Sequence, residues 1–444
     1  MARMFGTDGV RGLANKDITV DLAVKLGEAG GRVLAKGVEG RRPKAIIGRD
    51  TRQSSPMLSH ALGAGLAAAG IDVEHAREIP TPGIAYLTAE KGYDLGVVIS
   101  ASHNAMPDNG IKFISSNGFK LDDSVEDEIE AVLGQEWERP TGEGVGRVTE
   151  NAVVTDRAYM DHLVSCGAPL NGLRIALDCA NGAASEVAPT VFRELGADVV
   201  VINAEPDGRN INLNAGSTHP KALQAMVVAS GADMGFAFDG DADRCLAVDE
   251  DGNMVDGDQI MGLLAVDLHE QGKLANDTLV ITVMSNLGLR LAMKEKGINV
   301  AITGVGDRYV LEEMLAKGHV LGGEQSGHVI DLEHATTGDG TLTAILVSSI
   351  VARKGAPKLS ELVGFVKRLP QTLINVRGVD KTATDKIADE VAQAEKELGE
   401  TGRVLLRASG TEPLVRVMVE AATQKQADDV AKRLAAVVEE KLAL

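Results

Sequence analysis

The strongest constraint on the fold is a pattern that recurs three times. Short apolar strands at Lys44–Gly48, Arg174–Asp178 and Thr278–Val283 each run into a turn of polar or small residues (49–55, 179–185, 284–288). A helical periodicity follows in each case, stops at a glycine and re-enters a strand, at Gly70-Ile-Asp-Val, Gly196-Ala-Asp-Val and Gly297-Ile-Asn-Val. A glycine just past a helix end is a C-terminal cap, and strand, helix, strand in that order gives a right-handed βαβ unit with parallel strands. Beyond each second strand a further apolar strand ends in a polar loop. Leu95–Ile99 leads into Ser100-Ala-Ser-His-Asn104, Met234–Phe238 into Asp239-Gly-Asp-Ala-Asp-Arg244, and His319–Leu321 into Gly322-Gly-Glu-Gln-Ser-Gly-His328. Ligands of α/β sheets bind outside the carboxyl ends of the strands, so three such units facing a common centre would put these loops in one cleft.

The repeat accounts for most, but not all, of the 444 residues. From Pro370 onward the pattern changes to strand (371–377), helix (381–398), strand (403–407), a glycine-containing turn, strand (414–420) and helix (424–442), an α+β appendage. The expected organisation is three similar α/β domains with mixed sheets and flanking helices (1–155, 156–255, 256–368) plus a C-terminal α+β domain (369–444), with 353–360 a loop inside the third. A net charge of −19 argues against a nucleic-acid or anionic-membrane partner, so an anionic ligand must be held by local Arg and Lys clusters. Cys166, Cys179 and Cys245 are odd in number and without CxxC spacing, which fits buried thiols in a reducing compartment. The segment 1–8 has no apolar signal-like region and runs such as 344–352 are too short to span a bilayer, so a soluble, cytoplasmic protein is expected.

Chemistry concentrates in the loop that follows Met234–Phe238. Asp239, Asp241 and Asp243 place three carboxylates on alternate positions at a strand end, where their repulsion calls for a cation; all-oxygen ligation favours Mg²⁺ or Mn²⁺. Arg244 sets a guanidinium fork beside that ion, suited to phosphate. Solvated surface charge is the plainer alternative. An EF-hand fails because Arg244 stands where the loop needs glycine and the flanks read as strands.

Ser102, with His103 next to it and Lys112 ten residues on, is either a turn cap or a nucleophile. No G-x-S-x-G elbow surrounds it, and beside a carboxylate-bound metal a serine makes more sense as a phosphoryl carrier. In Gly322–His328, which is no Walker A loop, Glu324 and Ser326 suit sugar hydroxyls and His328 suits proton transfer, unless the segment is a plain glycine-rich turn. Arg407 and Arg416 flank Ser409, Gly410 and Thr411, either an anion nest or a turn whose arginines pair with neighbouring acids. Arg11 is placed to reach a phosphoryl group, Arg49 and Arg52 are either functional or structural, and Arg308 offers a further cation to the third unit.

Taken together, Ser102-His-Asn, Asp239-Gly-Asp-Ala-Asp-Arg, Gly323-Glu-Gln-Ser-Gly-His and Arg407-Ala-Ser-Gly-Thr-Glu-Pro resemble the α-D-phosphohexomutase superfamily, four motifs in its order over nearly the whole chain. The opening Phe5-Gly-Thr-Asp-Gly-Val-Arg-Gly12 and the glutamine of Gly-Glu-Gln-Ser-Gly-His resemble its amino-sugar branch, which interconverts glucosamine 6-phosphate and glucosamine 1-phosphate on the route to UDP-N-acetylglucosamine. The resemblance implies four domains around a central cleft, with Ser102 the phosphoserine. It implies one Mg²⁺ held by Asp239, Asp241, Asp243 and the Ser102 phosphate, with Arg244 on the moving phosphoryl. Lys112 and His328 match the proton-transfer positions, Glu324 and Ser326 the sugar contacts, and Arg407 to Arg416 the clamp for the second phosphate. A hexose 1,6-bisphosphate is implied as intermediate and activator, and homodimers are common in the superfamily. One departure shows: the superfamily commonly has proline directly after Ser-His-Asn, where this chain has Ala105 and then Pro107. The rivals are a phosphomannomutase/phosphoglucomutase with the same machinery, a non-catalytic sugar-phosphate sensor, and a metal-dependent phosphatase.

Overall fold

The computed structural model describes residues 3–6, 9–150, 152–408 and 414–444, with the side chains of 152–155 left aside. Two compact units emerge, Met1–Met284 with Ile298–Val363, and Ser285–Gly297 with Gly364–Leu444.

The first unit holds three sheets. One contains β1 (Val10–Leu13), β2 (Lys44–Arg49), β3 (Asp72–Glu78), β4 (Leu95–Ile99), β5 (Asp108–Ser115) and β6 (Val148–Glu150), in the order β1-β5-β4-β2-β3-β6. The second contains β7 (Arg174–Asp178), β8 (Asp198–Ile202), β9 (Met234–Phe238), β10 (Cys245–Asp249) and β11 (Met254–Val255), ordered β11-β10-β9-β7-β8. The third contains β12 (Thr278–Thr282), β13 (Asn299–Thr303), β14 (Leu321–Gly323) and β15 (Val329–Asp331), ordered β13-β12-β14-β15.

The threefold repeat is therefore real at the level of topology. In each sheet the first strand of the repeat pairs in parallel with both the second and the third, as β2 does with β3 and β4, β7 with β8 and β9, and β12 with β13 and β14. Each third strand then turns back into an antiparallel neighbour, β5, β10 or β15. Helices cover both faces, so β4 and β9 are buried at every position, as uninterrupted apolar runs require. The glycines that end the helical patterns lie in the left-handed region (φ +87° at Gly70, +95° at Gly196, +73° at Gly297).

Three local expectations are corrected. The strand expected at 319–321 is β14, 321–323, which takes in both glycines assigned to the loop: a side chain at Gly323 would meet the His328 carbonyl at 2.3 Å. Segment 353–360 is shorter as a loop, since helix Gly340–Arg353 ends there and helix Leu359–Val363 begins. The helix expected from residue 381 starts as a short 3-10 turn at Thr384–Ile387 and becomes α-helical only at Ala388. Asp380 is the reason, because its carboxylate accepts from both the amide and the hydroxyl of Thr382 and holds a turn there.

The second unit is an antiparallel sheet of β16 (Gln371–Arg377), β17 (Arg403–Ala408) and β18 (Leu414–Glu420), ordered β16-β18-β17, packed against helices Ala388–Leu398 and Gln424–Lys441. It also includes helix Leu287–Glu295, which the chain order assigns to the third repeat. The fully buried Glu420 accounts for this: it accepts from the Leu287 amide at 2.8 Å and pairs with Arg403, whose Nη2 reaches the Ser285 carbonyl at 2.6 Å. Among the described residues no helix is long and apolar enough to cross a membrane. Cys179 and Cys245 are buried and Cys166 is half-buried, all as free thiols.

Candidate active site

The β4–β5, β9–β10 and β14–β15 loops are the equivalent loops of the three sheets, and within the first unit they come together. Ser102 and the three aspartates are all buried. The Ser102 hydroxyl donates to Asp239 Oδ2 at 2.5 Å, so the serine of one loop lies against the carboxylates of another. One oxygen from each of Asp239, Asp241 and Asp243 falls within 4.8 Å of the others. Two carboxylates at that separation repel by about 3.5 kcal/mol even at an effective dielectric of ~20.

That repulsion divides the aspartates. Burial, then Asp243 and Asp241, push the Asp239 carboxyl well above its usual range, against a smaller opposite pull from Arg244 and the Ser102 hydroxyl. Burial acts on Asp243 too, but His328, Lys112 and Arg244 outweigh it and hold its carboxyl well below the usual range. Asp241 Oδ2 accepts from Thr81 Oγ1 at 2.7 Å and Lys112 Nζ at 3.0 Å. Asp241 Oδ1 and Asp243 Oδ1 are buried with no hydrogen-bond donor among the described residues. Two such oxygens, within a cluster of three carboxylates whose oxygens lie within 4.8 Å of one another, fit a hard divalent cation.

The other sequence candidates fall around this cluster. Arg244 is mostly buried, its Nε 3.9 Å from Asp243. His103 Nδ1 is 3.3 Å from Ser102 Oγ; burial, then Arg244 and Arg11, keep its pKa below the ordinary value. His328 is buried, its Nδ1 3.7 Å from Asp243 and its Nε2 3.3 Å from Asp307. Burial lowers its pKa, but those two carboxylates more than compensate and leave it raised. Arg11 lies on β1 opposite Gly110 of β5. In the third loop the Glu324 amide donates to the His328 carbonyl at 2.9 Å, while the Glu324 carboxylate accepts from the Gly306 amide at 3.1 Å; Ser326 is exposed.

Arg49 and Arg308 are occupied by Glu78 in one case and by Asp123 and Glu312 in the other. In the second unit Arg407 and Arg416 are direct cross-strand partners on β17 and β18. Like charges placed opposite each other are unfavourable without an anion between them. Ser409, Gly410 and Thr411 lie outside the described residues.

Four residues at the site escape a reading of the sequence. The Thr81 hydroxyl bonds Asp241, and Asp50 with Ser100 supports the serine loop: Ser100 Oγ donates to Asp50 at 2.6 Å and accepts the Ser102 amide at 2.9 Å. Asn212, from the second sheet's long loop, donates to the Ser102 carbonyl at 2.8 Å. The only sequence signal for any of them is a polar residue directly after a buried strand.

Comparison with known proteins agrees with this geometry. Family models for phosphoglucomutase/phosphomannomutase match in four parts: α/β/α domain I at residues 2–139, domain II at 157–252, domain III at 256–369 and the C-terminal domain at 373–437. The chain is 62% identical, over the whole of both sequences, to a phosphoglucosamine mutase of Bifidobacterium animalis subsp. lactis. A crystal structure of a phosphoglucomutase/phosphomannomutase family protein from Burkholderia thailandensis superposes with a TM-score of 0.84 at 26% identity, covering 100% of this chain and 99% of that one. A more distant fold match, TM-score 0.70 at 19% identity over 98% and 95% of the two chains, is the Aspergillus fumigatus N-acetylphosphoglucosamine mutase in complex with GlcNAc-6P and magnesium. The three convergent loops and the full-length matches lead to one conclusion: the chain belongs to the phosphoglucomutase/phosphomannomutase family of phosphohexomutases.

Proposed function

We propose that this chain acts as a phosphoglucosamine mutase, interconverting glucosamine 6-phosphate and glucosamine 1-phosphate through a phosphorylated Ser102 and a 1,6-bisphosphate. The observation that carries the reading is the Ser102 hydroxyl seated on Asp239 inside a cluster of three buried carboxylates. The choice of hexose rests on full-length similarity to the Bifidobacterium enzyme.

Asp239, Asp241 and Asp243 would hold one Mg²⁺, the ion present in the fungal complex. When bound, it would offset the carboxylates and the ~1.5 to 2 negative charges of a phosphoserine. In the first half-reaction the bond between phosphorus and Ser102 Oγ breaks as a bond to the sugar's free hydroxyl oxygen forms, and the hydroxyl proton leaves. Lys112 Nζ, held on Asp241, and His328 Nδ1, on the far side of Asp243, are the groups assigned to carry protons between the sugar oxygen and Ser102 Oγ. Arg244 and Arg11 supply fixed positive charge to the transferring group. Glu324 and Ser326 take the sugar hydroxyls. Arg407 and Arg416, with the loop between them, take the phosphate that is not reacting, which relieves their own repulsion. The second half-reaction returns the other phosphoryl to Ser102, so the bisphosphate must turn over between halves. Residues 1–155, 156–255, 256–368 and 369–444 are the four domains of this scheme.

The test is a substrate-range assay primed with glucose 1,6-bisphosphate and Mg²⁺, comparing kcat/KM for glucosamine, glucose and mannose 1-phosphates. Glucosamine 1-phosphate should lead; a clear preference for mannose 1-phosphate overturns the assignment. Intact-mass analysis should find phosphate on Ser102, and near-normal turnover by Ser102→Ala would rule out the phosphoserine route.

A further inference from the structure

We propose that Arg52, with Asn212 as a second anchor, is a positioning residue for the phosphoryl-accepting serine; the inference rests on the reading of Ser102 given above and deepens it. Arg52 is 1% exposed and touches no open part of the site. Its guanidinium has five N–H groups, and the structure shows five bonds. Nε donates to Asp50 Oδ2 at 2.8 Å; Nη1 donates to the carbonyls of Ala105 at 2.6 Å and Asp108 at 3.2 Å; Nη2 donates to the carbonyls of Ser102 and Asn104, both at 2.9 Å. Three of the four carbonyls belong to the serine loop, the fourth to the first residue of β5, and none to the helix that follows Arg52. Asp50 completes the frame, because the Ser100 hydroxyl bonded to it receives the Ser102 amide. Both main-chain polar groups of Ser102 are thereby tied to one buried ion pair, and Ser102 is held in the left-handed region at φ +51°, a conformation that costs a non-glycine residue about 1 kcal/mol or more.

Asn212 Nδ2 reinforces the same carbonyls from the second sheet's side, at 2.8 Å to Ser102 and 3.1 Å to Asn104. Ala105 is the revealing position. A proline there would stiffen the loop by fixing φ; this chain has alanine, exposed, and fixes its carbonyl with the shortest of the five Arg52 bonds. Lysine at position 52 keeps the charge facing Asp50 but has three donors on a flexible stem, so at least two of the five bonds made by Arg52 are lost.

The experiment compares wild type, Arg52→Lys and Arg52→Lys/Ala105→Pro as full-length enzyme, following the transfer of phosphate from glucose 1,6-bisphosphate onto Ser102 by rapid-quench intact mass. Arg52→Lys should load Ser102 about 10- to 100-fold more slowly, with kcat falling in parallel and KM within about 3-fold of wild type. Restoring loop stiffness through Ala105→Pro should recover at least about 3-fold of the loss, which a purely structural role for Arg52 would not allow. Loading at the wild-type rate in folded Arg52→Lys overturns the proposal, as does a slow variant that proline leaves unchanged. Should Arg52→Lys fail to fold, Asn212→Gly removes two bonds to the same carbonyls and tolerates the φ of +58° found there; slower loading supports the proposal and an unchanged rate overturns it. A wild-type enzyme that takes no phosphate on Ser102 refutes the phosphoserine reading itself, and is distinguishable because it fails before any variant is compared.

Discussion

Gly240→Ala is the smallest change that should separate the serine from the aspartates. Gly240 is not in the left-handed region, so alanine is allowed by its backbone and only space is at issue. An added Cβ would lie 2.6 Å from the Ser102 carbonyl oxygen and 2.9 Å from both Asn212 Nδ2 and Ile211 Cδ1. Ordinary contact begins near 3.4 Å, so the loops must part by about 0.8 Å. The obstructing oxygen cannot swing aside, since Arg52 and Asn212 both hold it. Overpacking of this kind costs about 1–3 kcal/mol of stability. A displacement approaching 1 Å at a reacting group costs on the order of 100-fold in rate, about 2.7 kcal/mol in the barrier. Melting temperature and steady-state kinetics on the purified variant give both numbers. A folded Gly240→Ala enzyme with kcat within about 3-fold of wild type would refute the reasoning, because it would show that the Ser102–Asp239 separation does not set the rate.

Three further outcomes are expected. Mg²⁺ at 100 times its dissociation constant should stabilise the wild type by about 2.7 kcal/mol, and Asp243→Asn should abolish most of that gain in a thermal-shift titration. His75 is buried beside His60 and Arg49, and burial first, then those two neighbours, depresses its pKa to about 4. The unfolded chain binds a proton below ~6.5 and the folded chain does not until about 4, so stability is complete above that range and declines as pH falls through it. The urea midpoint of His75→Gln should lose this part of the acid dependence, and identical profiles would dismiss it. Asp156 has a buried Oδ1 without a hydrogen-bond partner among the described residues, and burial, then Glu186 and Glu78, raise its carboxyl to about 7. Its ionisation therefore removes stability as pH rises from the usual carboxylate range to about 7, and Asp156→Asn should be more stable than wild type by about 1–2 kcal/mol at pH 8 by chemical denaturation, allowing for its partial exposure.

The chemistry of the site was legible in the sequence because charge and periodicity announce it. Asp239, Asp241 and Asp243 crowd three carboxylates directly after an apolar strand, where only a cation relieves them, and the repeat put Ser102 and Glu324 at equivalent loops. What holds the loops was not legible. In the sequence Arg52 stands in a polar turn with a functional and a structural role both open, and only the structure shows its guanidinium enclosed by carbonyls 50 to 56 residues further along the chain. Asn212 lies in a loop without periodicity, and its bond to Ser102 spans 110 residues. Backbone-to-backbone contact leaves even less trace. Gly240 against the Ser102 carbonyl, and Gly340 against the Arg244 carbonyl at 2.3 Å from where a Cβ would lie, look in sequence like any turn glycine. Leu287–Glu295 is misplaced by chain order for a related reason: its position in the sequence assigns it to the third repeat, whereas Glu420, more than a hundred residues on, bonds its first turn.

The repeat also divides labour between loops in a way that accounts for why one turn, and not its equivalents, is bonded to the loop that carries Ser102. At the end of the first strand of each repeat a polar side chain accepts the amide two residues on: Arg52 N to Asp50 at 3.0 Å, Ala180 N to Asp178 at 3.0 Å, and Met284 N to Thr282 at 3.2 Å. The three turns are thus the same local device, a side chain closing its own turn so that the next helix can begin. Asp178 spends its remaining capacity inside its own sheet, on Asn203 and the Gly216 amide. Asp50, also within its own sheet, turns instead to the serine loop: it orients Arg52 toward that loop, and through Ser100 it takes hold of the Ser102 amide. Substituting alanine for the turn-closing residue should therefore destabilise any of the three units, but only Asp50→Ala should slow phosphoryl loading of Ser102 beyond its effect on stability. Equal slowing by Thr282→Ala, measured on folded protein, would mean that the turns act alike and that Asp50 has no special reach.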